Sequence, residues 1–224
     1  MCGRFEIHST LEIIAKVFGI GSITFDYQPS YNIAPSQDIL LVVNDGERRL
    51  IKSRWGFVPS WSKELTAGYK MINARAESVA EKPSFREAFQ RQRCLVVADG
   101  FYEWKKEGAK KRPFYIRLKS GNPLAFVGLY NVWKSPEGEQ ICTSTIITTD
   151  ANEIVRPLHD RMPVIAPPDA YDVWLDPDVH DKALLQNILK PYPSAELDVY
   201  EVSPKVNSPK NNAPENIQKV PEKP

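Results

Sequence analysis

The chain predicts an α+β fold: a single domain of mostly antiparallel, barrel-like sheet with a few short helices. Three observations carry that expectation. Most strand-like segments sit next to one another and are joined by tight turns rather than by helical crossovers. The helical segments are short and scattered. No Pro/Gly-rich linker divides the interior of the 224 residues, a length that suits one sizeable core.

The elements follow in order. Residues 2–7 alternate as a short strand. Ser9 and Thr10 can cap a helix over LEIIAKVF (11–18), which Gly19-Ile20-Gly21 would stop. DILLVVN (38–44) and RRLIKSRWGF (48–57) flank Asp45-Gly46, a strong hairpin signal. A short helix is expected over 84–91. RCLVVADGFYEWKK (93–106) reads as one strand, joined by a Gly/Lys-rich turn to RPFYIRL (112–118). PLAFVGLYNVW (123–133) and QICTSTIITT (140–149) form another pair, turning near Pro136-Glu137-Gly138. Asp150 can cap a helix over ANEIVRPLH (151–159), after which RMPVIA (161–166) returns as a strand. AYDVWL (170–175) and DKALLQNILK (181–190) read as helices, and LDVYEV (197–202) as the last strand. From Ser203 onward the chain holds five prolines and is extended. The domain is placed at 1–212, with 213–224 as a mobile tail.

Composition excludes several classes. A hydrophobic fraction of 42% with 25% charged residues describes an ordinary soluble globular protein. No apolar run approaches the ~20 residues that span a bilayer, so no membrane partner is expected. The segment MCGRFEIHST lacks the features of a signal peptide. Cys2, Cys94 and Cys142 cannot all pair and match no zinc spacing, which predicts a reducing, cytoplasmic compartment and no metal. No cofactor is expected, and nothing demands more than a monomer. Net charge is only +1, but it is unevenly spread. Residues 82–117 carry ten Lys/Arg against four acids, whereas 167–202 carry eight acids against two lysines. Such a map suits one basic face for a polyanion, although loop charges also cluster by chance.

The most informative residue is Cys2, directly behind Met1. Removal of Met1 would leave an α-amine and a thiol on adjacent carbons. This 1,2-aminothiol can capture an aldehyde twice, first as a Schiff base and then as a five-membered thiazolidine. The free amine titrates near ~7.7–8.0 and a thiol near ~8.5, so modest tuning makes both nucleophilic at neutral pH.

Cys2 does not stand alone. The ordered blocks MCGR (1–4), YNIAPSQ (31–37), WGFVPSW (55–61), INARAES (72–78), RCLVVADGFYEW (93–104) and HDRMPVI (159–165) closely resemble the SOS-response-associated peptidase (SRAP) family. The resemblance spans residues 2–212. Val97 departs from it where many members have proline, at a strand backbone position remote from any reactive group. Family members are known as sensors and shields of abasic sites in single-stranded DNA, and the resemblance implies the same partner here. It further implies that Cys2 forms a covalent DNA–protein crosslink. Glu103 would act as general acid/base, His159 would assist sugar opening and crosslink reversal, and Asn73 would orient the amine.

DNA-binding roles are expected for Arg4, Arg75 and Arg161 on phosphates and for Trp61 and Trp104 on exposed bases. Asn32 and Pro35 would shape the pocket. Such a protein would associate with the nucleoid when bound to damaged DNA. Each residue also has a blander reading: a solvated strand Glu, a helix-terminal His, a turn-forming Asn, a core Trp. Two other functions compete. One is a self-processing cysteine peptidase using Cys2 with His159; the other is a non-covalent binder of single-stranded DNA.

Overall fold

The computed structural model describes residues 2–108 and 110–221. Twelve strands and four α-helices follow one another along the chain. They are β1 (Phe5–Ile7), α1 (Leu11–Phe18), β2 (Ser30–Ile33), β3 (Asp38–Asn44), β4 (Arg48–Trp55), β5 (Asn73–Arg75), α2 (Arg86–Arg91), β6 (Arg93–Ala98), β7 (Gly100–Glu107), β8 (Lys110–Leu118), β9 (Leu124–Lys134), β10 (Gln140–Asp150), β11 (Arg161–Pro163), α3 (Tyr171–Leu175), α4 (Lys182–Ile188) and β12 (Leu197–Glu201). Single 3₁₀ turns occupy Leu65–Lys70, Pro168–Ala170, Ser194–Glu196, Pro204–Asn207 and Pro214–Ile217.

Five strands close into a barrel. β4 pairs with β3, β3 with β6, β6 with β9, β9 with β10, and β10 returns to β4. All these pairings are antiparallel except β10 with β4. The long strand β10 also takes β5 in parallel beside it and β11 at its end. A closed barrel of this size has its interior filled by side chains. Fully buried Leu41, Val96, Phe126, Val127 and Ile146 belong to that core. The second sheet, in the order β12-β8-β7-β1-β2, is antiparallel throughout. The α+β, mostly antiparallel architecture expected from the hairpin pattern is therefore the one observed.

Local chemistry explains the elements. Thr10 caps α1 by accepting from the Ile13 amide, and Gly19 ends the helix at φ 65°, a left-handed conformation that glycine adopts without steric cost. Gly56 and Gly68 touch back to back: a Cβ on Gly68 would lie 2.4 Å from the Gly56 carbonyl oxygen. That contact cinches the loop 57–67, which carries Trp61. Arg93 is buried, and its guanidinium donates to the carbonyls of Phe89, Gln90, Trp174, Asp176 and Val179. It thereby pins α2 and the end of α3 to the barrel.

Two expectations are corrected. First, 93–106 is two strands in two sheets. The break falls at Asp99, whose carboxylate accepts from the amides of His8 and Ser9 and from the Ser9 hydroxyl. An apolar run gives no warning that its middle residue is bound elsewhere. Second, 151–159 is a string of turns, not a helix. Asn152, not Asp150, supplies the cap, accepting from the Val155 amide. Pro157 has no amide to donate, and the Asp150 carboxylate is held by Arg161. The tail makes packing contacts as far as it is described. Asn216 is buried, Tyr200 donates its hydroxyl proton to the Ile217 carbonyl, and the Val220 amide bonds to Glu201. Residues 222–224 lie outside the described residues.

Candidate active site

Cys2 is fully buried just ahead of β1. Asn73, the first residue of β5, donates its Nδ2 proton to the Cys2 carbonyl at 2.7 Å. The Asn73 Oδ1 atom is buried and has no hydrogen-bond partner among the described residues. β5 holds this position because it runs in parallel register beside β10, with Asn73 opposite Ile146.

Glu103 comes from the other sheet, on β7 opposite Phe114. It is 3% exposed, and burial lifts its carboxyl to about 7, with Asp160 contributing in the same direction. The Cys2 thiol is raised far above its ordinary value by burial, and Glu103 raises it further. The thiol is therefore protonated, and the carboxyl acts on it electrostatically.

His159 ends the turns between β10 and β11. Its Nδ1 accepts the Arg161 amide proton at 3.0 Å, which leaves the ring proton on Nε2 in the neutral tautomer. Burial depresses its affinity for a proton, and the nearby cations Lys106 and Arg161 depress it further. Asp160 Oδ1 lies 2.6 Å from Nδ1, ready to accept from it when the ring is protonated.

Glu103 and His159 line one open pocket of about 510 Å³, together with Arg4, Trp104, Lys106, Lys111 and Asn207. An acid near neutrality and a neutral imidazole thus face one space, with the buried thiol close to the acid. This arrangement can carry proton transfers at neutral pH to and from an electrophile bound there.

The proposed DNA contacts fall into different settings. Arg4 donates to Asn32 Oδ1 at 2.6 Å and to the Val206 carbonyl at 2.9 Å, and stands 5.7 Å from the Trp104 ring centre. Asn32 is buried and donates to the carbonyls of Val206, Ser208 and Asn211, so it ties down residues 204–211 behind the pocket. Trp104 gives its indole proton to Asn207 Oδ1 at 2.7 Å. Arg161 is bound by Glu77, Asp150 and the Thr148 carbonyl. Arg75 is exposed two residues beyond Asn73. Pro35 is half-buried in a turn beside Ser36, whose φ is 72°. Trp61 is 66% exposed and lines a separate cavity with Tyr69 and Lys70. Sequence reasoning missed Lys106, Lys111 and Asn207. The near-palindromic KKEGAKK (105–111) would have paired the two lysines once read as a hairpin.

The fold and site define a two-sheet domain with a buried cysteine close to a buried carboxyl that is raised to about 7. The model of the family SOS response associated peptidase (SRAP) matches residues 1–209, and this chain belongs to that family. It is 50% identical over 222 residues to abasic site processing protein YoqW of Bacillus subtilis, covering 97% of this chain and 99% of the relative. Abasic site processing protein HMCES of Xenopus tropicalis is 34% identical over 222 residues, covering 84% of this chain and 65% of that protein. A crystal structure of a Bacteroides thetaiotaomicron protein superposes with a TM-score of 0.89 at 28% identity, covering 98% of this chain and all of the other.

Proposed function

We propose that this protein binds single-stranded DNA and captures an abasic site through Cys2, once Met1 is removed, as a covalent thiazolidine that shields the lesion. The observation that carries this reading is that Glu103, raised to about 7, shares one pocket with a neutral His159 and acts electrostatically on the buried Cys2, whose carbonyl Asn73 binds. The relatives' names, abasic site processing proteins, agree with it.

The raised thiol orders the steps. Glu103 donates its proton to the ring oxygen as the closed sugar opens and takes the C1′ hydroxyl proton on its other oxygen, so it ends the step protonated. His159 Nε2–H hydrogen-bonds the departing ring oxygen. The Cys2 amine, oriented by Asn73 Oδ1, attacks the aldehyde carbon. Loss of water, protonated by Glu103, gives the iminium. The thiol sulfur then adds to the same carbon and its proton passes to the Glu103 carboxylate. One water is released overall. A peptidase-like reading would require a Cys2 thiolate beside His159, and burial opposes that thiolate.

Intact mass measurement tests the proposal. A chain shown to begin at Cys2, mixed with an oligonucleotide carrying one abasic site, should gain the oligonucleotide's mass less one water. Cys2→Ala should give no adduct yet still bind undamaged single strands, with marked salt dependence. A chain that begins at Cys2 and forms no adduct sinks the mechanism.

A further inference from the structure

Part of the basic segment 82–117 is bound within the fold. Arg93 is spent on carbonyls, Arg117 pairs with Asp198, and Arg112 with Glu107 and Glu201. The hairpin of β7 and β8 divides the remaining charge by face. Lys105 lies opposite Arg112, and both are bound to Glu107. On the alternate face Lys106 lies directly opposite Lys111. Both are exposed, and neither makes an ion pair among the described residues. Like charges placed directly across a sheet oppose folding. Both also line the pocket that holds Glu103 and His159, and among the described residues no acid other than Glu103 lines it.

We infer that Lys106 and Lys111 form a two-ammonium clamp for one phosphodiester of the DNA strand beside the captured nucleotide. The inference rests on the capture reading for its ligand, and it names where the strand's backbone leaves the pocket. Two point charges on adjacent strands can approach one phosphate from two sides, and the anion relieves their mutual repulsion. Lys106 shares its face of β7 with Trp104, and both line the pocket that Glu103 also reaches. A phosphate flanking the nucleotide captured in that pocket would meet the two ammonium groups.

The test uses the Cys2→Ala protein, so that only reversible binding is read, with and without Lys106→Gln/Lys111→Gln. Single-stranded oligonucleotides carry a stable abasic analogue and one uncharged methylphosphonate, moved stepwise along the flanks. With an unmodified backbone, the double variant should bind ~5–10-fold more weakly near 0.1 M salt, and its log–log salt slope should be shallower by ~0.7, one phosphate's share. At one flanking position the methylphosphonate should weaken the parent and leave the double variant unchanged. Lys105→Gln/Lys110→Gln, on the opposite face, should keep the parent's sensitivity at that position. If no position separates the parent from the double variant, the clamp is overturned. Adduct formation by the unmutated protein is measured alongside. Adduct formation with indistinguishable methylphosphonate profiles condemns the clamp alone, whereas no adduct from a chain beginning at Cys2 condemns the capture reading as well.

Discussion

At the scale of the residue, the decisive feature is one carboxyl held near neutrality. Glu103 follows Tyr102 and precedes Trp104 on a strand between the two cores, and burial raises it to about 7. It can therefore donate and accept at physiological pH. Capture should show a maximum in pH. Below it the Cys2 amine is protonated, with an ordinary value near ~7.7–8.0. Above it Glu103 loses its proton and cannot help water depart. Glu103→Gln should slow capture by ~10²–10⁴-fold and abolish the alkaline fall, while binding of undamaged single strands changes little. Single-turnover adduct formation from about pH 5.5 to about 9 would read this, and an unchanged profile would remove Glu103 from the mechanism. The sequence exposed Cys2, Asn73, Glu103 and His159 as members of motifs. It could not show that Arg161 is consumed by Glu77 and Asp150, because those partners lie 84 and 11 residues away. Lys106 and Lys111 were hidden for another reason: a lysine-rich turn looks solvated until the strand register sets its two faces apart.

At the scale of the element, the segment 203–220 is held by contacts that its sequence does not announce. Its prolines allow two 3₁₀ turns but no long helix or strand, and it is fixed by side chains from elsewhere. Asn32 satisfies three of its carbonyls, Arg4 a fourth bond to it, and Asn207 in turn holds Trp104 at the pocket. Hydrogen bonds of this kind leave no periodic trace. Asn32→Ala leaves buried acceptors unpaired at about 1–3 kcal/mol each when no water replaces the amide, so a net loss of ~2–4 kcal/mol is expected. The thermal midpoint should fall by ~5–12 °C, and trypsin should cut first at Lys205 or Lys210. Because Trp104 loses its support, affinity for single strands should weaken as well. Cleavage that begins elsewhere, with the midpoint unmoved, would show that residues 203–220 hold without Asn32. The hairpins were legible for the opposite reason, since Asp45-Gly46 and the alternating strands around it act through neighbours in sequence.

At the scale of the whole molecule, the two sheets meet where β6 hands over to β7, and the joint is built from ionisable groups. Glu6 is fully buried there and Asp99 nearly so; His8 Nδ1 lies 2.9 Å from Glu6 and 3.4 Å from Asp99. Tyr115 donates its hydroxyl proton to Glu6, and Tyr27 and Arg117 act on the cluster at longer range. Burial raises Glu6 above its ordinary value, with Asp99 adding to the rise. The bond to Glu6 raises His8. Both shifts mean that the folded state binds more protons than the unfolded chain, Glu6 upward from the ordinary carboxylate range and His8 upward from ~6.5. Their contributions have the same sign: stability is greatest below those windows and declines as pH rises through them. Glu77, lowered chiefly by its bond to Arg161, acts oppositely and loses its contribution as pH falls through its depressed range. Glu103, raised to about 7, acts in the same sense as Glu6 and His8, and His159, lowered by burial, acts in the opposite sense. Global stability should therefore peak on the mildly acidic side of neutrality. Urea unfolding at about pH 5.5 and about pH 8.5 should give the higher midpoint at the lower pH, and His8→Gln should shrink that difference by removing one of the two proton acceptors. An equal difference in the variant would place the pH dependence outside this joint. Since β1 joins the cluster directly to Cys2, loosening at high pH should reach the capture site, so the alkaline fall in capture would steepen wherever the joint begins to open.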